Sequence, residues 1–215
     1  MASLLQPRDI VTSLIDSLYH PDEDQESSNP LRHASQQIQN TLLTLHVLFP
    51  NELLPALDVL DRGLVIHMLL QTAPNDKANS EDGERGVDQL SLSPTQMYLV
   101  RSGQQASRLR QANYTSQYEV RLTAWSCSCP AFAFSAFPAT SLEQIANRGP
   151  PAQCVQDAAD GKWKIGGVST GIDVPICKHL LACALVEHGG VFAGLVERRR
   201  VSVDEMAGWA AGWGD

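Results

Sequence analysis

Cys127 and Cys129 stand one residue apart in the run WSCSCPAFAFSAF, and Cys177 and His179 repeat that spacing in PICKHLL. Three thiols and an imidazole can be buried core groups, a redox couple or the donors of a metal site. A lone cysteine in a β-rich segment is usually a small buried hydrophobe, and a lone histidine is usually just a satisfied polar residue. A redox pair fits less well, because the spacer is one residue and no Cys-x-x-Cys occurs anywhere in the chain. Two such pairs, each at the boundary of an expected element, favour a metal. Structural zinc takes a closed tetrahedron of thiolates and imidazole, with bonds of about 2.3 Å to sulfur and about 2.0 Å to nitrogen. Cys127, Cys129, Cys177 and His179 are therefore the expected ligands of one Zn2+ per chain.

The other cysteines and histidines read differently. Cys183, one helical turn past His179, is expected in the core, and Cys154 is the alternative ligand. His188, before Gly-Gly, reads as a capping or surface residue, and His67, in an apolar run, as structural. A catalytic zinc keeps an open position beside an acid or base, whereas here four protein donors fill the shell. The deaminase signature, H-E-x-x-H and a phosphate-binding Walker loop are all absent. The expectation is a protein that is not an enzyme.

These ligands must be positioned by the elements around them. Ile10, Val11, Leu14, Ile15 and Leu18 share one face of a first helix that Pro7 can open. PDEDQESSNP, residues 21–30, is an acidic linker. Ile38, Leu42, Leu45 and Phe49 mark a second helix from about Leu31, and NELLPALDVLD a third, capped by Asn51 and stopped at Arg62-Gly63. LVIHMLL reads as a buried strand. MYLVRSG and SQYEVRLTAWSCSC suggest a meander of two or three antiparallel strands ending on Cys127-Ser-Cys129. At a strand end, residues i and i+2 point to one face, so both sulfurs can reach one ion. Residues 138–176 look like a long insertion in which only GKWKIGG has strand character. CKHLLACALVEHGG is a helix with Leu180, Leu181, Ala184 and Leu185 on one face, and Ser202 with Glu205 fits the capping box of a last helix.

The expected fold class is α+β: N-terminal helices, then a small antiparallel β-meander and a helix held by zinc, then a C-terminal helix. The organisation this suggests is a helical region over 1–60, the meander and metal finger over 61–190, and the C-terminal helix over 191–215.

The 215 residues are 43% hydrophobic and 19% charged, enough for one sizeable core or two small ones. No apolar stretch approaches the roughly 18 residues of a membrane span, and the N-terminus lacks the pattern of a signal peptide, so the expected location is inside the cell, without a membrane partner. Five cysteines make a poor disulfide framework but suffice for a metal site in a reducing compartment. Of the net charge of −8, the acidic excess lies in residues 1–90, with 14 acids against 5 Lys/Arg. Such a chain is a poor non-specific DNA binder by itself.

C127-S-C129 with C177-K-H179 resembles the C-x-C, C-x-H pattern of the SWIM zinc finger, and Ala182 extends it to C-x-H-x-x-A. With CSCPAFAFS and CKHLLA, residues 56–187 look like the SWIM-bearing subunits of Shu complexes. The resemblance implies a nuclear adaptor that pairs with RecA-like recombinase paralogues and helps a recombinase load on single-stranded DNA during homologous recombination. The 47 residues between Cys129 and Cys177 are long for a generic SWIM finger.

Two surfaces could serve such functions. Met206, Trp209 and Trp213, spaced three and four residues apart, are either aromatic anchors for a partner or a cover for the chain's own core, and a homo-oligomer could use them too. Arg101, Arg108, Arg110 and Arg121 lie in sequence near Tyr98, Tyr114 and Tyr118, which suits either single-stranded DNA or a solvated hairpin face. Arg198-Arg199-Arg200 reads as a charge run flanking a helix. Phe132, Phe134 and Phe137 are expected to pack around the zinc site and bury it.

Overall fold

LVIHMLL is apolar at successive positions because both of its faces are covered. In the computed structural model, which describes residues 6–19, 31, 34–71, 97–103, 117–138, 163–167 and 174–213, this run forms β1 (Val65–Leu70) inside a five-stranded sheet. The sheet adds β2 (Met97–Arg101), β3 (Gln117–Arg121), β4 (Ser126–Cys127) and β5 (Glu197–Val201), in the order β4-β3-β2-β1-β5. Among the described residues there are six α-helices: α1 (Pro7–Asp16), α2 (Gln36–Leu48), α3 (Leu53–Asp61), α4 (Pro130–Ala136), α5 (Lys178–Gly189) and α6 (Val203–Ala210). No helix among these residues is long and apolar enough to cross a membrane.

The antiparallel meander is present as β1 to β4, but the sheet is mixed. β5 pairs parallel to β1, with Ile66 opposite Glu197 and Leu70 opposite Val201. This corrects the reading of Arg198-Arg199-Arg200 as a helix-flanking run: the three arginines lie within a strand. Charged side chains suit a sheet edge, because they discourage pairing with another chain. The β-rich run before Cys129 also breaks. Residues 122–125 form a turn in which the Trp125 N–H donates to the Leu122 carbonyl at 3.1 Å, and the chain doubles back so that Cys127 faces Val120.

Alternation along the strands sorts the side chains into two layers. Val65, Tyr98, Val100, Val120 and Cys127 face the main core with α1, α2, α3 and α5, while Ile66, Met68, Met97, Leu99 and Val201 face a smaller cluster closed by Met206 of α6. α5 buries residues around its whole circumference rather than on the single face expected, since it lies between the sheet and helices α1 and α3.

Local signals explain most helix boundaries. α1 opens on Pro7 and buries Ile15, with Leu18 buried just past its end, while Ile10 turns outward. α2 begins at Gln36, later than expected, because Ser35 accepts from the Ile38 N–H at 3.3 Å and caps it. α3 follows Glu52, not Asn51, and ends where Gly63, at φ +58°, lets its own N–H reach Leu60 and that of Leu64 reach Val59, closing the last carbonyls. Ser202 caps α6 by accepting from the Glu205 N–H at 3.1 Å. The described part of GKWKIGG, residues 163–167, is not a strand: residues 165–167 turn, and Ile165 is buried in the main core.

Candidate metal centre

Each ligand pair sits at the start of a helix. Cys127 lies on β4, and one residue later the chain enters α4 with Cys129 as its N-cap, the sulfur accepting from the Phe132 N–H at 3.3 Å. Cys177 is likewise the N-cap of α5, with His179 in the first turn. Cys129 is therefore a helix cap and not, as expected, the last residue of a strand. Pro130 explains the change, since its ring fixes the φ of a first helical position. Two thiols at helix N-termini also sit where the helix dipole favours an anion.

The four donor atoms lie within 4.8 Å of one another, and all four residues are buried. A tetrahedral ion with bonds of about 2.3 Å to sulfur and about 2.0 Å to nitrogen needs sulfur–sulfur separations of about 3.8 Å and sulfur–nitrogen separations of about 3.5 Å. The distance from Cys127 Sγ to His179 Nδ1 is 3.8 Å. Three thiols and an imidazole so placed fit a metal ion, and the four residues could hold one.

The protonation of the thiols points the same way. Hydrogen bonds from Cys127 and then Cys177 hold the Cys129 thiol far below its ordinary range, against the effect of burial. Cys127 is pushed up by its hydrogen bonds to Cys129 and Cys177 and by burial. For Cys177 the hydrogen bond with Cys127 lowers the value, but that with Cys129 and burial outweigh it, leaving the thiol at about 11. A cation at their centre would allow all three sulfurs to ionise.

Neighbouring groups brace this arrangement on several sides. The Tyr118 ring lies 4.8 Å from that of His179, tilted by 30°. Ser128 extends the hairpin by accepting from the Glu119 N–H at 2.9 Å, and Ser135 of α4 accepts from the Ile176 N–H at 3.3 Å. Cys183 is fully buried in the core, as expected, and is not among the clustered donors. Cys154 lies outside the described residues.

The phenylalanine expectation fails. Phe132 packs partly against the core, but Phe134 and Phe137 are 78% and 80% exposed, and α4 has no buried residue. The centre lies in the main core between the hairpin and α5, and Trp125 is buried in that same core. Trp125 was not singled out from the sequence, although its position two residues before Cys127 was a usable signal.

The proposed surfaces separate. Met206 is buried under the sheet and Trp209 packs beside it, whereas Trp213 is 84% exposed. The described arginines and tyrosines do not share a surface. Tyr98 is buried, its hydroxyl donating to Glu187 and its ring stacked on His67 at 4.3 Å, and Tyr118 lies beside His179. Arg101 and Arg121 project from the other sheet face, paired with Glu197 and Glu119. Arg108, Arg110 and Tyr114 lie outside the described residues. His188 is not a simple cap: its ring stacks on Trp163 at 3.6 Å, and burial lowers its pKa.

No family model matches the chain, and neither does any curated protein.

Proposed function

We propose that the chain is a non-enzymatic adaptor whose platform is held by one zinc ion bound to Cys127, Cys129, Cys177 and His179 in the manner of a SWIM finger. The observation that carries the zinc reading is the closed set of four buried donors within 4.8 Å. Four protein ligands leave no position for substrate, so the ion is structural and its binding contributes to folding.

The adaptor role rests on the likeness of C127-S-C129-P and C177-K-H179-L-L-A to the SWIM-bearing Shu subunits. It makes the chain a nuclear partner of RecA-like recombinase paralogues that promotes recombinase assembly on single-stranded DNA. Exposed Trp213, three residues past the end of α6, suits an aromatic anchor for such a partner.

Two measurements test the proposal. Elemental analysis of the purified chain should find one zinc per chain, lost with Cys177→Ser together with much of the stability; a metal-free chain of equal stability rejects the finger. Affinity purification from the native cell should recover a RecA-like paralogue. Tight binding of single-stranded DNA by the chain alone at physiological salt, with no such paralogue recovered, rejects the adaptor role.

A further inference from the structure

The N-terminal helix is held by chain that lies between the two halves of the metal centre. Arg8, Thr12 and Asp16 stand one turn apart on α1, and each binds the 163–167 segment. The Arg8 guanidinium donates to the carbonyls of Ile165 at 2.8 Å and Gly167 at 3.0 Å. Thr12 Oγ1 accepts from the Ile165 N–H at 3.1 Å, and Asp16 accepts from the Trp163 indole at 2.7 Å. Lys164 pairs with Asp9 at 3.2 Å.

That segment in turn rests on the hairpin turn that leads to Cys127. A Cβ on Gly167 would stand 2.4 Å from the Thr123 carbonyl oxygen, so the backbones are in close apposition. From the same turn, the Trp125 indole donates to the Pro175 carbonyl at 2.7 Å, two residues before Cys177. Contacts therefore run without a break from both ligand pairs, through residues 122–125 and 163–167, to α1.

We propose that α1 is a metal-dependent latch, docked when the Cys127/Cys129/Cys177/His179 centre is filled and released when it is emptied. The proposal rests on the zinc reading above. β4 is only two residues long, so without an ion the hairpin is held against α5 and its approach by core packing, the Tyr118–His179 ring contact and the Trp125 bond alone. α1 has ten residues, too few for a stable isolated helix in water, so it depends on what it docks against. α3 and β1 carry no ligand and touch no part of the 163–167 relay through a described hydrogen bond, so they outlast the loss of the ion.

Hydrogen exchange of the full chain, zinc-loaded and chelator-stripped, with metal content measured alongside, tests the latch. Stripping should lower protection of the α1 amides about 5- to 150-fold, the usual span of coupling between sites, while α3 and β1 keep theirs. In the zinc-loaded chain Arg8→Ala should lower α1 protection with metal content unchanged. Unchanged α1 protection in either arm, or loss of protection in α1, α3 and β1 together on stripping, overturns the latch. A chain that takes up no zinc rejects the metal reading and the latch with it, whereas a loaded chain with an unresponsive α1 rejects the latch alone.

Discussion

The indole N–H of Trp125 donates to the carbonyl of Pro175 at 2.7 Å, joining the turn before one ligand pair to the strand-like approach of the other. Trp125 is buried and holds φ at +49°, a conformation uncommon for a bulky residue. Trp125→Phe should keep most of the packing and lose the bond, costing about 1–2 kcal/mol, and Trp125→Ala should cost about 3–5 kcal/mol. Both should weaken metal retention in a competition with a chelator. Denaturation and chelator titration of the two variants check this.

Gly167 and Gly63 both have positive φ, yet their surroundings differ. A Cβ at Gly63 meets nothing within 4 Å, whereas at Gly167 it meets the carbonyls of Thr123 and Leu122 at 2.4 and 2.7 Å. Gly63→Ala should cost about 1–2 kcal/mol from the left-handed backbone alone. Gly167→Ala should cost clearly more, because rigid backbone has to move. Equal losses in urea denaturation would contradict the apposition of the two segments.

The exposed aromatics can be removed without disturbing the fold. Phe134→Ala, Phe137→Ala and Trp213→Ala should each change stability by about 0.5 kcal/mol or less, with metal content unaltered. Met206→Ala opens a cavity beneath the sheet and should cost about 2–5 kcal/mol. Loss of a co-purifying partner with Trp213→Ala at unchanged melting temperature would therefore report on an interface rather than on folding.

His67 makes stability depend on pH. Burial lowers its pKa below the ordinary 6.5; Glu187 opposes this and Arg198 adds to it. Its buried Nε2 has no hydrogen-bond partner among the described residues. Because the folded value is depressed, the contribution of neutral His67 is fully present above pH 6.5 and is lost as pH falls from there toward the folded pKa. His67→Phe keeps a ring against Tyr98 and removes the titration. Denaturation of both proteins from about pH 8 to about pH 5 should show a shallower acid loss for the variant, and parallel curves would contradict this.

The cluster of four donors was legible because its chemistry is local: two pairs at the same spacing, each beside a helix start. β1 and β2 were legible from their apolar and β-branched runs. Other features depend on context that no window of sequence contains. Glu197–Val201 reads as a charge run, and only its pairing with β1 makes it a strand. Phe134 and Phe137 are apolar, but the turn at Pro130 that caps α4 with Cys129 points them away from the core. The Arg8, Thr12 and Asp16 row is visible as polar residues one turn apart, yet their acceptors and donors lie more than 140 positions away. Hydrophobic period cannot report such contacts, because they are polar and distant.

The parallel pairing of β1 with β5 also bears on synthesis. β1 ends at Leu70, and the strand that covers its outer edge begins only at Glu197, so a ribosome must make the residues between them before that edge can be paired. At about 5–20 residues per second, an apolar strand edge stays open for roughly 6–25 seconds in the nascent chain. During that interval β1 is a site for chaperone capture or for misassociation between chains, and the arginines of β5 close it last.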